Sequence, residues 1–349
     1  MNAGSSVTDS FQRAMERALE LARRGPRTGA NPRVGCVILD DTGNSVAEGW
    51  HQGSGTPHAE IMAIESLKKN SRSGVGLTAV VTLEPCAHEG KTGPCTEALI
   101  SSGITRVVFS VADPGQTSGG GSRSLREAGI DVFEGVLRAE GTLLIERWLS
   151  AVKQQRPWVT LKWASSLDGR SAAKDSSSQW ITGIETRQRV HKDRSEHDAI
   201  IVGTNTVEID NPSLTARDPD GTLYSHQPRA IVVGNREIKS EAAIRKHPGG
   251  FEHRKNRNLS DTLSSLFDKE IRSVYVEGGP TVASAFIRER LVDEIHITLG
   301  PILVGGPVLS ISDIGVQTLS DAIGLKINNV EQLGNDIFIT ARPSQEGNE

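Results

Sequence analysis

What is scarce in this chain narrows its setting. Only three cysteines stand among 349 residues, an odd number. That excludes a disulfide framework and suits a reducing compartment. No apolar run approaches the roughly 20 residues that span a bilayer. The N-terminal residues lack the apolar core of a secretory signal. A soluble, cytoplasmic protein without membrane contact is therefore expected. No long basic stripe interleaved with aromatics occurs, and the net charge is only −4, so nucleic acid is not the expected partner. No G-x-G-x-x-G fingerprint is present, which disfavours a Rossmann domain. No internal repeat is evident.

What is present is a constellation in the first hundred residues. His58-Ala59-Glu60 is followed by Pro85-Cys86 and then by Cys95. One imidazole and two thiolates supply three ligands of a tetrahedral zinc and leave the fourth position to water, as a catalytic zinc requires. Glu60 stands two residues from the His and is placed to move protons for that water. Zinc deaminases of nucleobases use this set, with the Glu as acid/base and not as ligand. Their usual thiol spacing is Cys-x-x-Cys, whereas eight residues, Ala87 to Pro94, intervene here. His58 and Glu60, at i and i+2, do not share a face of a regular helix, so one of them must sit at a helix entrance. Cys95 is expected to open a helix, whose free N–H groups favour a thiolate. The alternative is a structural zinc, with His88 as a fourth ligand. The third cysteine, Cys36 in Val34 to Leu39, reads as a small buried hydrophobe.

A chain of this length should hold two domains. Asp9 with Gln12 resembles a capping box, and Phe11, Met15, Ala18, Leu19 and Ala22 follow at helical spacing. Strands are expected at 34–39, 46–50, 79–83 and 106–111, with helices from Pro57 and from Cys95. Residues 115–124, rich in Gly and Ser, should be a loop. A connecting helix at 143–152 and a polar linker precede a second alternation. Strands are expected there at 158–164, 198–203, 229–234, 273–277, 294–299 and 336–341. Helices are expected at 184–197, 259–269 and 281–290, and residues 235–258 read as surface connection. Alternating strands and helices predict an α/β layer fold in both halves, divided as 1–150 and 151–349.

Over nearly its whole length the chain resembles the bifunctional deaminase–reductases of riboflavin biosynthesis. The N-terminal matches are Asn31-Pro32-Arg33-Val34-Gly35-Cys36, His51-Gln52-Gly53, Pro57-His58-Ala59-Glu60 and Thr82-Leu83-Glu84-Pro85-Cys86. The long-spaced segment from Cys86 to Cys95 separates this family from deaminases with the short Cys-x-x-Cys. In the second half the matches are Leu161-Lys162, Ser166-Leu167-Asp168-Gly169-Arg170, Ser178-Gln179-Trp180-Ile181-Thr182, Thr206 through Asp210, Asn211 through Thr215, and Val276-Glu277-Gly278-Gly279-Pro280-Thr281.

The resemblance implies a cytidine-deaminase-like three-layer domain and a dihydrofolate-reductase-like domain. It implies zinc on His58, Cys86 and Cys95, Glu60 as proton shuttle, and NADPH for the second domain. The implied substrate is 2,5-diamino-6-ribosylamino-4(3H)-pyrimidinone 5′-phosphate. Deamination and then reduction of the ribosyl chain would give 5-amino-6-ribitylamino-uracil 5′-phosphate. Implied cofactor positions are Ala164, Trp180, Thr206, Asp210, Asn235 and the loop Gly279-Pro280-Thr281-Val282-Ala283-Ser284-Ala285. Implied substrate positions are Ser178, Arg194, Leu214, Arg217 and Glu277. Asn31, His51, His88 and Lys91 are candidates to hold the pyrimidine and phosphate. Two segments depart from the family pattern: Asp113-Pro114-Gly115-Gln116 with Gly119-Gly120-Gly121, and Gly234-Asn235-Arg236.

Some of this has a physical reading of its own. Gly278-Gly279-Pro280-Thr281, after a strand and before a helix, offers free N–H groups to a phosphate, though a plain turn reads the same way. Arg194 and Arg217 could grip a phosphate bidentately; alone, each is more often a solvated charge. Trp180 alone reads as core or rim packing, and Asp210 beside Asn211-Pro212 as a turn former. Two other functions stay open at this point. One is a nucleic-acid editing protein; the other is a deaminase whose second domain only drives assembly. A homo-oligomer is open too.

Overall fold

The computed structural model describes residues 3–70, 72–88, 93–115, 118–175, 177–256 and 258–344, with backbone alone for 3–8. The chain divides into two units, Met1–Gln154 and Gln155–Glu349.

The first unit begins with α1 (Ala3–Ala22), β1 (Gly35–Leu39), β2 (Ser45–Trp50), α2 (Ala59–Lys69) and β3 (Thr78–Leu83). It continues with α3 (Cys95–Ser102), β4 (Arg106–Val111), α4 (Gly121–Glu127), β5 (Asp131–Glu134), α5 (Arg138–Leu144) and α6 (Glu146–Gln154). The sheet order is β2-β1-β3-β4-β5. β1 pairs antiparallel with β2 and β3, while β3, β4 and β5 run parallel. Successive side chains alternate between faces. Cys36, Ile38, Ala79, Val81 and Val107 therefore pack against Ala59, Ala63, Ile64 and Leu67 of α2 and Leu99 of α3. Val37, Leu39, Val80 and Val108 meet Phe11, Met15, Ala18 and Leu19 of α1 on the other face. Helices on both faces make three layers, and they explain why β1, β3 and β4 read as nearly unbroken apolar runs.

Several expectations change here. α1 starts before Asp9, and Gln12 reaches down the helix to Glu16 at 3.4 Å and not back to a cap. Pro57 lies outside α2, because His58 is its N-cap. The loop at 115–124 is cut short by α4. Gly121 opens that helix, and a Cβ there would lie 1.8 Å from the Pro85 carbonyl oxygen. Only glycine lets α4 press so close to the residue before Cys86. The helix expected at 143–152 is two, α5 and α6, separated at the buried Ile145.

The second unit opens with β6 (Trp158–Ser166), α7 (Ile184–Ser195), β7 (Ala199–Gly203), α8 (Thr204–Asp210), β8 (Arg229–Val233) and β9 (Phe251–Arg254). Then come α9 (Leu259–Asp268), β10 (Ser273–Val276), α10 (Pro280–Arg288), β11 (Glu294–Gly300), β12 (Leu325–Leu333) and β13 (Asp336–Pro343). The sheet order is β12-β13-β11-β6-β10-β7-β8-β9. It is parallel from β11 to β9 and antiparallel where β13 and β12 continue it. Val159, Leu161, Ile201, Val274 and Val276 pack under α9 and α10 through Leu263, Leu266 and Phe286. Ile200, Val202, Ala230, Val232 and Tyr275 face Val190 of α7 and Val207 of α8.

The sequence reading has no counterpart for α8, β5, β9 or β12. β9 lies inside the supposed surface connection, and β12 is an edge strand exposed along most of its length, so it carries no alternation. Among the described residues no helix is long and apolar enough to cross a membrane.

Candidate functional sites

His58 stands at the extended N-cap of α2, with φ −67° and ψ 161°. That non-helical geometry answers the i, i+2 problem: the imidazole leaves the helix axis one way and Glu60, in the first turn, another. Gly49 of β2 lies beneath this turn, and a Cβ on it would lie 2.4 Å from the Ala59 carbonyl oxygen. Cys86 follows β3, and Cys95 is the first residue of α3. The Nδ1 of His58 is 3.2 Å from Cys95 Sγ and 3.7 Å from Cys86 Sγ. One ligand atom from each of the three residues lies within 4.8 Å of the other two. Two tetrahedral zinc ligands with ordinary bond lengths stand roughly 3.6 Å apart, so the set fits the ion.

The electrostatics also favour a cation. The backbone N–H of Cys95, a free donor of the α3 N-terminus, points at Cys86 Sγ at 3.4 Å. The helix end expected to assist Cys95 thus assists Cys86. The Cys86 thiol is pulled down, first by the Cys95 thiol and also by His58. Glu60 is 4 % exposed, and burial pushes its carboxyl up. His88 is not in the cluster, so the four-ligand structural reading lacks its fourth ligand. Its buried Nδ1 has no hydrogen-bond partner among the described residues.

Asn31 and His51 border the cluster. Nδ1 of His51 donates to the Pro57 carbonyl at 3.1 Å, which leaves Nε2 to accept from the Asn31 amide at 3.1 Å. One neutral tautomer satisfies both bonds, and burial lowers the His51 pKa. The rings of His51 and His58 meet edge to face at 5.5 Å. Glu84 is an anchor that sequence reasoning quoted without a role. Its carboxylate accepts from Ser122 N at 2.8 Å and Asp113 N at 3.1 Å. It thereby ties the departing Asp113 segment and α4 to the strand before Cys86. Lys91 lies outside the described residues.

In the second unit β6, β10, β7 and β8 run parallel side by side, and ligands of such sheets bind outside the carboxyl ends of the strands. Ala164 lies near the end of β6. Thr206 and Asp210 lie on α8 after β7, and exposed Asn235 follows β8. Gly279 is the N-cap of α10, and a Cβ on it would stand 3.5 Å from Thr206 Oγ1. Partial burial raises the Asp210 carboxyl. Asp210 ends α8, and the left-handed turn residue is Asn211, φ 40°. Trp180 is 69 % exposed, with the Arg187 guanidinium 4.4 Å over its ring, so it is not core. Ser178 is half-buried.

Two expectations are corrected here. Residues 280–285 belong to α10, the helix expected at 281–290, so the implied cofactor loop is helix beyond Gly279. Ala283 is fully buried in the core, and Ser284 Oγ accepts from Ser312 N at 2.8 Å. Only Gly279, Pro280 and Thr281 present the N-terminal turn. Arg194 is likewise not a free phosphate clamp. Its Nε and Nη2 hold Glu277 at 2.6 and 2.9 Å, and its Nη1 donates to the Thr215 carbonyl at 3.1 Å. Arg217 is exposed and donates from Nε to Thr215 Oγ1 at 3.1 Å. The two arginines do converge, on Thr215. Leu214 beside it is buried, with φ 54°. Sequence reasoning missed Lys162 of β6. Burial lowers the pKa of its amine, against the opposing pull of Glu277. Its signal was present in the matched Leu161-Lys162 pair.

A His-Cys-Cys metal cradle with a buried glutamate, joined in one chain to a parallel sheet whose strand ends carry the Arg194–Glu277 pair, defines a two-site enzyme of the deaminase–reductase class. Residues 8–111 match the cytidine and deoxycytidylate deaminase zinc-binding region, and residues 157–339 match the RibD C-terminal domain. The riboflavin biosynthesis protein RibD of Corynebacterium ammoniagenes is 43 % identical over 91 % of this chain and 93 % of its own. That of Escherichia coli K12 is 35 % identical over 93 % and 97 %. The solved RibD of Acinetobacter baumannii, form 1, superposes with TM-score 0.87 at 33 % identity, covering 97 % of this chain and all of that one. A Thermotoga maritima structure, titled as a diaminohydroxyphosphoribosylaminopyrimidine deaminase and 5-amino-6-(5-phosphoribosylamino)uracil reductase, gives 0.80 at 35 % identity, with 97 % and 100 % coverage. The chain belongs to the RibD family of riboflavin biosynthesis. It is a bifunctional enzyme, a zinc-dependent deaminase followed by a reductase that uses NADPH.

Proposed function

We propose that the first unit removes the 2-amino group of 2,5-diamino-6-ribosylamino-4(3H)-pyrimidinone 5′-phosphate and that the second reduces the ribosyl chain to ribityl. The observation that carries the reading is the His58–Cys86–Cys95 cluster, with ligand atoms within 4.8 Å, beside the buried Glu60. Zinc held by these three residues supplies a Lewis acid that activates water. Glu60 is the acid/base: it takes one proton from the attacking water and gives it to the ring nitrogen, then takes the remaining hydroxyl proton and gives it to the departing amine. Burial disfavours its charged carboxylate and so favours proton uptake. Asn31 and His51 orient the pyrimidine, with His51 kept neutral by burial.

In the second unit Ala164, Trp180, Thr206, Asp210, Asn235 and the α10 N-terminus from Gly279 to Thr281 bind NADPH. The exposed N–H groups of that turn suit a phosphate. NADPH supplies the hydride, so the protein need only align donor and acceptor and exclude water. Ser178, Arg194, Leu214, Arg217 and Glu277 take the phosphoribosyl part. Arg217 meets the phosphate, and the Arg194–Glu277 pair presents a fixed polar wall. The enzyme works in the cytoplasm.

The test is incubation of zinc-loaded protein with the diamino substrate, with and without NADPH, and identification of the products. Deaminated pyrimidine should form without NADPH, and the ribityl product only with it. Unchanged substrate in both arms would overturn the reading.

A further inference from the structure

α7 buries charge where a helix covering a sheet would ordinarily bury aliphatic side chains. Asp193 is 5 % exposed and His296 4 %. Oδ2 of Asp193 lies 3.1 Å from His296 Nδ1, and Tyr275 donates its hydroxyl to the same oxygen at 3.5 Å. Oδ1 accepts from Arg189 Nε at 3.1 Å. The second nitrogen of His296 lies 3.5 Å from Glu294 Oε2. Thr160 Oγ1 stands 3.5 Å from that oxygen and 3.0 Å from His197 Nε2, and its single hydroxyl proton serves one of the two at a time. His197 Nδ1 returns to the Asp193 carbonyl at 2.6 Å. The result is a closed ring of polar groups that ties α7 to β6, β10 and β11.

The ring lies one residue from the reductase wall. Arg194 follows Asp193 directly, and it must keep a fixed orientation to hold both Glu277 and the Thr215 carbonyl. Lys162 is the register partner of His296 on the neighbouring strand. A slide or roll of α7 would break several directional bonds at once, which apolar packing would tolerate better.

We propose that Asp193 and His296 are a positioning couple for the reductase: closed, the ring holds α7 in the register that keeps Arg194 on Glu277 and Thr215. The inference rests on the reading that Arg194 and Glu277 belong to the reductase's substrate site. The couple is pH-sensitive. Both His296 nitrogens face carboxylates, an arrangement that only the doubly protonated ring satisfies. The groups facing it are Asp193 and Arg189 of α7, Glu294 on its own strand, Tyr275 of β10 and Lys162 of β6. Phe338 of β13 packs edge-on at 5.2 Å, and Glu331 of β12 reaches the ring through Arg189. Burial works against the charged imidazole, but the bonds to Asp193 and Glu294 raise its pKa. A raised folded pKa means the ring is fully closed below the unfolded value of about 6.5. It opens as pH rises through the folded value, because neutral His296 leaves one carboxylate without its donor.

The experiment measures KM for the deaminated phosphoribosyl substrate and KM for NADPH across pH, in wild type, Asp193→Asn, His296→Gln and Arg194→Gln. Wild-type substrate KM should climb on the alkaline side. In Asp193→Asn and His296→Gln it should be about tenfold higher at neutral pH and flat with pH, while KM for NADPH holds. Equal rises in both KM values would mark a merely structural role and overturn the proposal. If Arg194→Gln leaves substrate KM unchanged, the underlying site reading fails. If it raises KM and the two ring variants do not, the positioning couple alone fails. Should the ring variants not fold, histidine-labelled wild type decides by nitrogen NMR. A doubly protonated His296 at pH 7.5 supports the couple, and a neutral ring overturns it.

Discussion

The two sites hold their charged groups in opposite ways. In the first unit three ligand atoms crowd within 4.8 Å, and the α3 N-terminus turns a backbone donor onto one of them. One imidazole and two thiols so close together suit a metal ion. In the second unit the charges already answer each other: Arg194 with Glu277, Asp193 with His296 and Arg189. A wall neutralised in advance can shape and orient a ligand, but it offers no strong grip of its own. The exposed Arg217, which donates only to Thr215 and the Gly221 carbonyl among the described residues, is the candidate for that. The difference teaches where loss of one residue destroys chemistry and where it costs binding or stability.

The strongest way to break the contrast is to remove a ligand. Cys86→Ser should release zinc and abolish deamination, while reduction of pre-deaminated substrate continues. Metal analysis with both assays checks this, and full zinc occupancy in the variant would sink the ligand assignment. Glu60→Gln sharpens it, because a shuttle is lost and not a ligand. Zinc should stay and deamination should fall by roughly 10²–10⁴; a rate near wild type removes Glu60 from the mechanism.

In the second unit the largest effect should be on stability. Glu277→Gln leaves the Arg194 guanidinium buried without its partner, which costs about 3 kcal/mol, roughly 6–12 °C in Tm for a unit of this size. Adding Arg194→Met should restore most of that loss in calorimetry. No recovery would mean the pair is not the source. Arg217→Ala should leave Tm unchanged and raise KM for the phosphorylated substrate roughly ten- to a hundredfold, one charge-assisted bond. The dephosphorylated substrate should barely distinguish the variant from wild type; equal losses on both would return Arg217 to an ordinary surface charge. The smallest effect concerns pH. Asp168 accepts from Ser166 Oγ and from the Val304 and Gly305 N–H groups, and these bonds, the Ser166 one foremost, hold its pKa at about 2. A depressed folded value stabilises above the unfolded pKa of about 3.9 and is lost as pH falls toward 2. Asp168→Asn should therefore flatten the acid limb of the Tm–pH curve, and an unchanged limb would remove Asp168 from it.

Legibility followed the range of each interaction. α3 was readable because Cys95 and Gly103 mark its two ends, and β1 and β3 because burial on both faces writes an apolar run. α8 was not, since Thr204-Asn205-Thr206-Val207-Glu208-Ile209-Asp210 has weak helix formers and its helicity comes from packing Val207 into the core. β12 escaped because an exposed edge strand needs no pattern. Capping at Asp9 misled, since side-chain chemistry suited to a cap also suits an exposed helical face.

By itself the sequence determined which residues could form the metal cradle, His58, Cys86 and Cys95, and the α/β character of both halves. Each depends on residue type and short spacing, because a metal accepts few donors and a buried strand admits few side chains. Tertiary structure alone decided that Arg194 spends its fork on a glutamate 83 positions away and that Asp193 finds His296 at 103. It also decided that the α3 N–H serves Cys86 and not Cys95. Such pairings are set by which strands lie side by side and how a helix is rolled upon them, and no local pattern encodes either.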